Sequence, residues 1–373
     1  MRAKAKKSSR GFSLLEALVA MGVGTLLVTV AAQMYTSAAN ATWVASQRAE
    51  MQQDLRAAEN MMVKDISMAG TGLTGTPGGI GLVAGPGVVN AIYGCDQAQC
   101  YLPVASRAGV NFPLNPTPFF YWIIPGNGLG AQVFAGQGNT DAITVTYADM
   151  QFALQCYNVT FPSSTQATFT IQSPLTAGCQ SPPLPQAVQS VSDPAWGLKA
   201  GDFVLFTNSA GGQAIGEVTI NANGAASPFT VTFANPDNAR MNQPSATATG
   251  SLQQMMGQPG TTAVRLLAIT YYIDNSTGVP TLMRQVNGQT PVPLAENVVD
   301  LRITYDTYDA NGNFTPSVLS PVPGTINTIR KVNIVHLTAR SPLQGANKGY
   351  QSLDVQTSVS LRNMSFQNRY AIN

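Results

Sequence analysis

Charged residues are scarce: they make up 10% of the 373-residue chain, against roughly 25% in an average soluble domain. Neutral polar residues and turn formers fill the gap, while 44% of the residues are apolar, which is ample for a packed core and excludes a disordered chain. This mixture suits a β-rich exported protein with many turns. Histidine is nearly missing, with His336 alone, and the four cysteines, Cys95, Cys100, Cys156 and Cys179, include no CxxC pair. Zinc ligation is therefore poorly supported and no metal site is expected. There is no GxSxG serine motif, no GxxxxGK[ST] phosphate loop, and no GxGxxG that follows a strand to open a helix. Nucleophilic catalysis and nucleotide binding lose their commonest signatures, so neither an enzyme nor a cofactor is expected.

The formal charge of +2 conceals an asymmetry. Of the 20 basic residues, Arg2, Lys4, Lys6, Lys7 and Arg10 all precede Gly11, so loss of that segment leaves 15 basic against 18 acidic residues. A net charge of about −3 gives no general attraction for nucleic acid. For an exported chain the even cysteine set reads as two disulfides, with three pairings open and the nearest-neighbour one, Cys95 to Cys100 and Cys156 to Cys179, favoured.

Most of the information lies in the first seventy residues. Behind the basic stretch, residues 12–32 are apolar or small apart from Ser13, Glu16, Thr25 and Thr29; 21 residues suffice to span a bilayer as a helix, with the basic end in the cytoplasm. A secretory signal cut after the span, a permanent anchor and a leader cut before the span all fit this outline. Val30-Ala31-Ala32 would serve as an ordinary signal cleavage site. Glu16 argues otherwise, because a carboxylate in a membrane helix costs a few kcal/mol unless it is paired or near the interface. Cleavage after Gly11 would expose the Phe12 amine four residues away, and a neighbouring subunit displaced along a bundle could bring the two groups together.

Helical patterning then continues without proline until Pro77, with Met51, Leu55, Ala58, Met62 and Ile66 on one face. Gln52, Gln53, Arg56, Glu59, Asn60 and Lys64 take much of the remainder, so this half should pack one side onto a globular domain. Gly70 and Gly72 end the helix, which makes one rod from residue 12 to about 69. Gly22 and Gly24 lower helix propensity inside the apolar half, by about 1 kcal/mol each, and either permit close helix approach or local melting.

Gly11-Phe12-Ser13-Leu14-Leu15-Glu16 resembles the prepilin peptidase motif of type IV pilins and type II secretion pseudopilins. The resemblance implies cleavage after Gly11, methylation of the Phe12 amine, and a role for Glu16 in neutralising that amine on an adjacent subunit. The stretches 63–73, 296–306 and 360–368 are similar to those of PilW-type minor pilins, relatives of the J-type pseudopilin. The implied partners are prepilin peptidase, other pilins and minor pilins, an inner-membrane assembly platform and a tip adhesin. Before assembly the chain would sit in the inner membrane as a single pass with its domain outside the cytoplasm; afterwards, in a pilus at the cell surface. A type II secretion pseudopilin is the alternative, and an anchored binding or enzymatic β-domain a more distant one.

The fold class expected is α+β: a leader over 1–11, a helix over 12–72 with its membrane and assembly half at 12–32, and a mainly antiparallel β-rich domain over 73–373. Strands are expected at 142–147, 167–172, 202–207, 217–221 and 229–233, then at 264–274, 281–286, 298–305, 331–338 and 353–361. The stretch from about 75 to 260, which no resemblance covers, reads as an insertion. Phe119, Phe120, Tyr121 and Trp122 read as a buried strand, His336 as a structural strand residue, and 309–313 as an Asn-Gly turn rather than a calcium loop.

Overall fold

The computed structural model describes residues 13–73, 80–83, 88, 119–175, 179, 190–309, 311–319, 321, 328–342, 344, 349–361 and 364. The chain divides into two compact units, Met1–Gln52 with Ser341–Gln351, and Gln53–Arg340 with Ser352–Asn373. A single 54-residue helix, Leu14–Ser67, is the one α-helix longer than a turn among the described residues; at 1.5 Å per residue it is about 80 Å long. Ser13 caps it, its hydroxyl accepting the Glu16 N–H at 3.2 Å.

The other end is stitched to a sheet. Gly70 and Gly72 adopt φ of 76° and 71°, a region that costs a side-chain-bearing residue energy. The turn lets the Gly70 N–H donate to the Thr146 carbonyl at 2.8 Å and the Thr71 carbonyl accept from the Ala148 N–H at 2.9 Å. Helix and strand are thereby joined through backbone hydrogen bonds as well as side chains.

The β-rich architecture is antiparallel throughout the described pairings. Its main sheet has seven strands: Ile123–Gly126, Ala142–Ala148, Phe203–Thr207, Gln213–Glu217, Thr262–Asp274, Thr281–Val286 and Val292–Glu296. Thr262–Asp274 is its spine, pairing through one half with Phe203–Thr207 and through the other with Ala142–Ala148 and Thr281–Val286. A second sheet places Phe314–Val318, Val298–Tyr308, Ile329–Arg340 and Ser352–Ser360 side by side. Asp141 ties the two sheets, its backbone N–H donating to Leu301 and its carboxylate accepting from the Ile303 and Gly128 N–H groups.

Tyr157–Ser163, Gln166–Ile171, Phe229–Thr232 and Ile220–Asn223 form a third sheet, over an aromatic core in which Phe206 meets Phe161 and Phe233 edge-to-face and Phe169 at a tilt. Cys156 and Cys179, both buried, are disulfide-bonded against this core.

Three sequence expectations need correction. The strand expected at 217–221 is a break: Gln213–Glu217 ends there and Ile220–Asn223 begins in a different sheet, so one apolar run bridges two elements. Of the run 119–122 only Phe119–Phe120 is strand, and Tyr121 and Trp122, both buried, link it to the next strand, Ile123–Gly126. Tyr157–Ser163, not expected from the sequence, contains Pro162 and alternates buried with exposed residues; it is an edge strand, where a missing N–H can face outward.

Candidate assembly helix and its anchor

Along the amino-terminal half of the helix the apolar side chains find no core. Leu14 is 85% exposed, and Leu15, Leu18, Met21, Leu26, Leu27 and Val28 are exposed too. This segment has a mean hydropathy of 2.1 over its most apolar window, none of it buried, and is long and apolar enough to cross a membrane. Its polar groups are largely satisfied internally: the Thr25 hydroxyl donates to the Gly22 carbonyl at 2.9 Å and the Thr29 hydroxyl to the Thr25 carbonyl at 2.8 Å. Hydrocarbon therefore meets no unpaired hydroxyl there. Glu16 is the exception, exposed in the first turn with its carboxylate bonded to no described residue. Spacing of three and four puts it on one face with Val19, Ala20 and Val23.

A Cβ built at Gly22 or Gly24 would meet nothing within 4 Å. The chain's own packing thus has no need of these glycines. Replacing Gly22 by Ala is expected to raise helix propensity by about 1 kcal/mol and to leave unfolding of the β-rich unit unchanged, while lowering incorporation into a fibre. Full incorporation of Gly22→Ala in a shear-fraction assay would remove any role for that glycine in subunit contact or melting.

Residues 53–67 behave differently. Leu55, Ala58, Met62 and Ile66 are each at most 2% exposed, the face the periodicity specifies. Sequence reasoning missed the charged member of that face, Asp65, which is 3% exposed. Its carboxylate accepts from the Tyr147 hydroxyl at 2.8 Å, from the Tyr271 hydroxyl, and from Arg284 Nε at 2.8 Å. These partners lie on three adjacent strands of the main sheet. Burial, and then the Asp65 charge, pushes both tyrosine hydroxyls well above their ordinary pKa, so they remain donors. The spacing Ala58, Met62, Asp65, Ala69 already carried the signal, an acid in step with the apolar stripe.

Of the other residues singled out by sequence, Gly11, Phe12, Cys95 and Cys100 lie outside the described residues. His336 lies in the strand Ile329–Arg340, half-exposed beside the Asp354 carboxylate at 2.9 Å. The 309–313 turn joins two strands of the second sheet, and the Asp309 carboxylate is occupied by the N–H groups of Asn311 and Asn313 and by the Asn313 amide. Among the described residues no group of three or more His, Cys, Asp or Glu is placed to hold a metal ion.

The family model of the prokaryotic N-terminal methylation motif matches residues 6–32. This match supports a type IV pilin- or pseudopilin-like protein. The motif implies processing by prepilin peptidase and assembly with other pilin-like subunits, and together with the apolar helix it fits a membrane-anchored, single-pass protein. No curated protein and no solved structure matches this pilin-like chain.

Proposed function

We propose that this pilin-like chain is a minor pilin of a type IV pilus, a structural subunit rather than an enzyme, that primes fibre assembly and sits at or near the tip, with a role in adhesion or motility. The observation that carries the reading is the methylation motif placed directly at the head of a helix whose amino-terminal half is apolar and exposed. Such a helix must be covered by lipid or by copies of similar helices, because so large an apolar surface is not left in water. Assembly exchanges the first cover for the second. Within the bundle, Glu16 of one subunit faces the freed Phe12 amine of the next, since a lone charge in an apolar bundle costs far more than a matched pair. A size of 373 residues and a separate β-rich unit suit a subunit used in small numbers.

Mass spectrometry of the mature protein from its native host should find methylated Phe12 as the first residue. A terminus near Gln33 would mean ordinary secretion, and an untrimmed Met1 would remove the pilin reading altogether. Glu16→Ala should insert and be cleaved normally yet be depleted from sheared fibres by an order of magnitude or more, as expected for leaving one charge unpaired in a bundle. Deleting the chain should abolish or thin surface fibres; loss of secreted proteins with fibres intact would assign it to a secretion system instead.

A further inference from the structure

The segment 190–200 contains a turn that the assembly reading does not use. It begins with Asp193, whose Oδ1 accepts the Ala195 N–H at 2.7 Å and the Trp196 N–H at 3.0 Å. The Gly197 N–H donates to the Asp193 carbonyl at 2.8 Å, and a Cβ at Gly197 would lie 2.4 Å from the Val191 carbonyl oxygen. Only glycine fits there.

The carbonyls of Trp196 and Gly197 both accept from Arg265 Nη1, at 2.9 and 3.3 Å. Arg265 is itself held by Asp149, through Nε at 2.9 Å and through Nη2, and it stacks 4.5 Å from the Phe152 ring centroid. With its side chain 13% exposed, this arginine is a largely desolvated clamp on two backbone oxygens. On both flanks the turn is fastened to the strand Ile220–Asn223 and the residue that follows it: the Ala222 N–H donates to the Leu198 carbonyl, and the Ser192 hydroxyl donates to the Gly224 carbonyl.

All this machinery holds out one side chain. Trp196 is 55% exposed, with Pro194 and Ala195 exposed beside it. A large aromatic ring presented to water from a fixed backbone is the usual form of a binding anchor, because the backbone has little entropy left to lose on contact. One indole face with two small neighbours offers far less apolar surface than the core of a protein interface and is matched in size by a single sugar ring. The turn and the strand fastened to it carry polar groups with capacity left over. Asn221 and Asn223, both exposed, use their side-chain oxygens on the Ala200 and Gly224 N–H groups; their amide NH2 groups donate to no described residue. Asp193 keeps Oδ2 for solvent, and Lys199 lies close enough to act on its charge.

We infer that Trp196 is the stacking platform of a carbohydrate-binding site, taking the C–H face of a neutral pyranose while Asp193, Asn221 and Asn223 address its hydroxyls. The inference stands whether the chain serves a pilus or a secretion fibre. It is tested with the full-length chain in detergent, passed over immobilised neutral oligosaccharides ending in glucose, galactose or N-acetylglucosamine. At least one should be bound, and W196A should weaken that binding by about tenfold, the scale of losing one aromatic stacking surface, with W196F intermediate. Because Trp196 contributes little to the core, W196A should unfold at the temperature of the unaltered chain. An N221A/N223A double variant, outside the clamp, should weaken binding as well. Binding of none of these sugars, binding only of acidic ones, or undiminished binding by W196A would each overturn the site.

Discussion

Replacing Asp65 by Ala is expected to destabilise the β-rich unit by about 3–5 kcal/mol, the cost of removing one partner from a buried ion pair. The size follows from what is left behind. Arg284 would keep its charge with its Nε facing a cavity, and the Tyr147 and Tyr271 hydroxyls would lose their acceptor in a place from which water is excluded. Two units make a single two-state transition a poor assumption. Hydrogen exchange is the better measurement, and residues 53–67 and the strands carrying Tyr147, Tyr271 and Arg284 should lose protection together. Asp65→Asn, which keeps an acceptor but not the charge, should fall between the two. If Asp65→Ala exchanges like the unaltered chain, the helix is held by Leu55, Met62 and Ile66 alone and the polar cluster is incidental.

A second large effect is expected from pH. Glu217 is 2% exposed and makes a side-chain hydrogen bond with Asp237, while its carboxylate accepts the Ala239 N–H at 2.7 Å. Burial first, and the neighbouring Asp237 charge after it, pushes Glu217 up to about 7. A raised carboxyl favours the folded state while it holds its proton, so this contribution is full below the ordinary glutamate range and is lost as pH rises through about 7. The loss over that window is about 3 kcal/mol. Glu217→Gln can still donate to Asp237 and accept from Ala239 at any pH. It should therefore be more stable than the unaltered chain at pH 8 and nearly equal at pH 5, by denaturant unfolding at both values. Equal slopes with pH for the two proteins would remove the shared proton from the account.

The loop that Glu217 fastens shows why the middle of the chain was hard to read. Residues 235–260 look like an irregular Gly/Pro-rich connection in sequence. In the structure Asp237 accepts the N–H groups of Met241 and Asn242, and the Asn242 side chain bridges Glu217 and Ala234. Hydrogen bonds to side chains replace a strand ladder there, and they leave no period to detect. The strand Thr281–Val286, by contrast, lies where alternation and turn residues put it.

The sequence by itself determined the amino-terminal motif, the apolar span, the amphipathic face of residues 53–67 and most of the strand positions. Each is a local pattern: a short string, a run length, or a period of 3.6 or 2 that the chain imposes on its own neighbours. Tertiary structure alone decided which strands share a sheet, where one apolar run breaks into two elements, that Asp65 meets side chains up to 219 residues away, and that Arg265 clamps the turn bearing Trp196. Those contacts join groups distant along the chain, and it is burial, not sequence spacing, that makes a buried acid or arginine gather every donor or acceptor within reach.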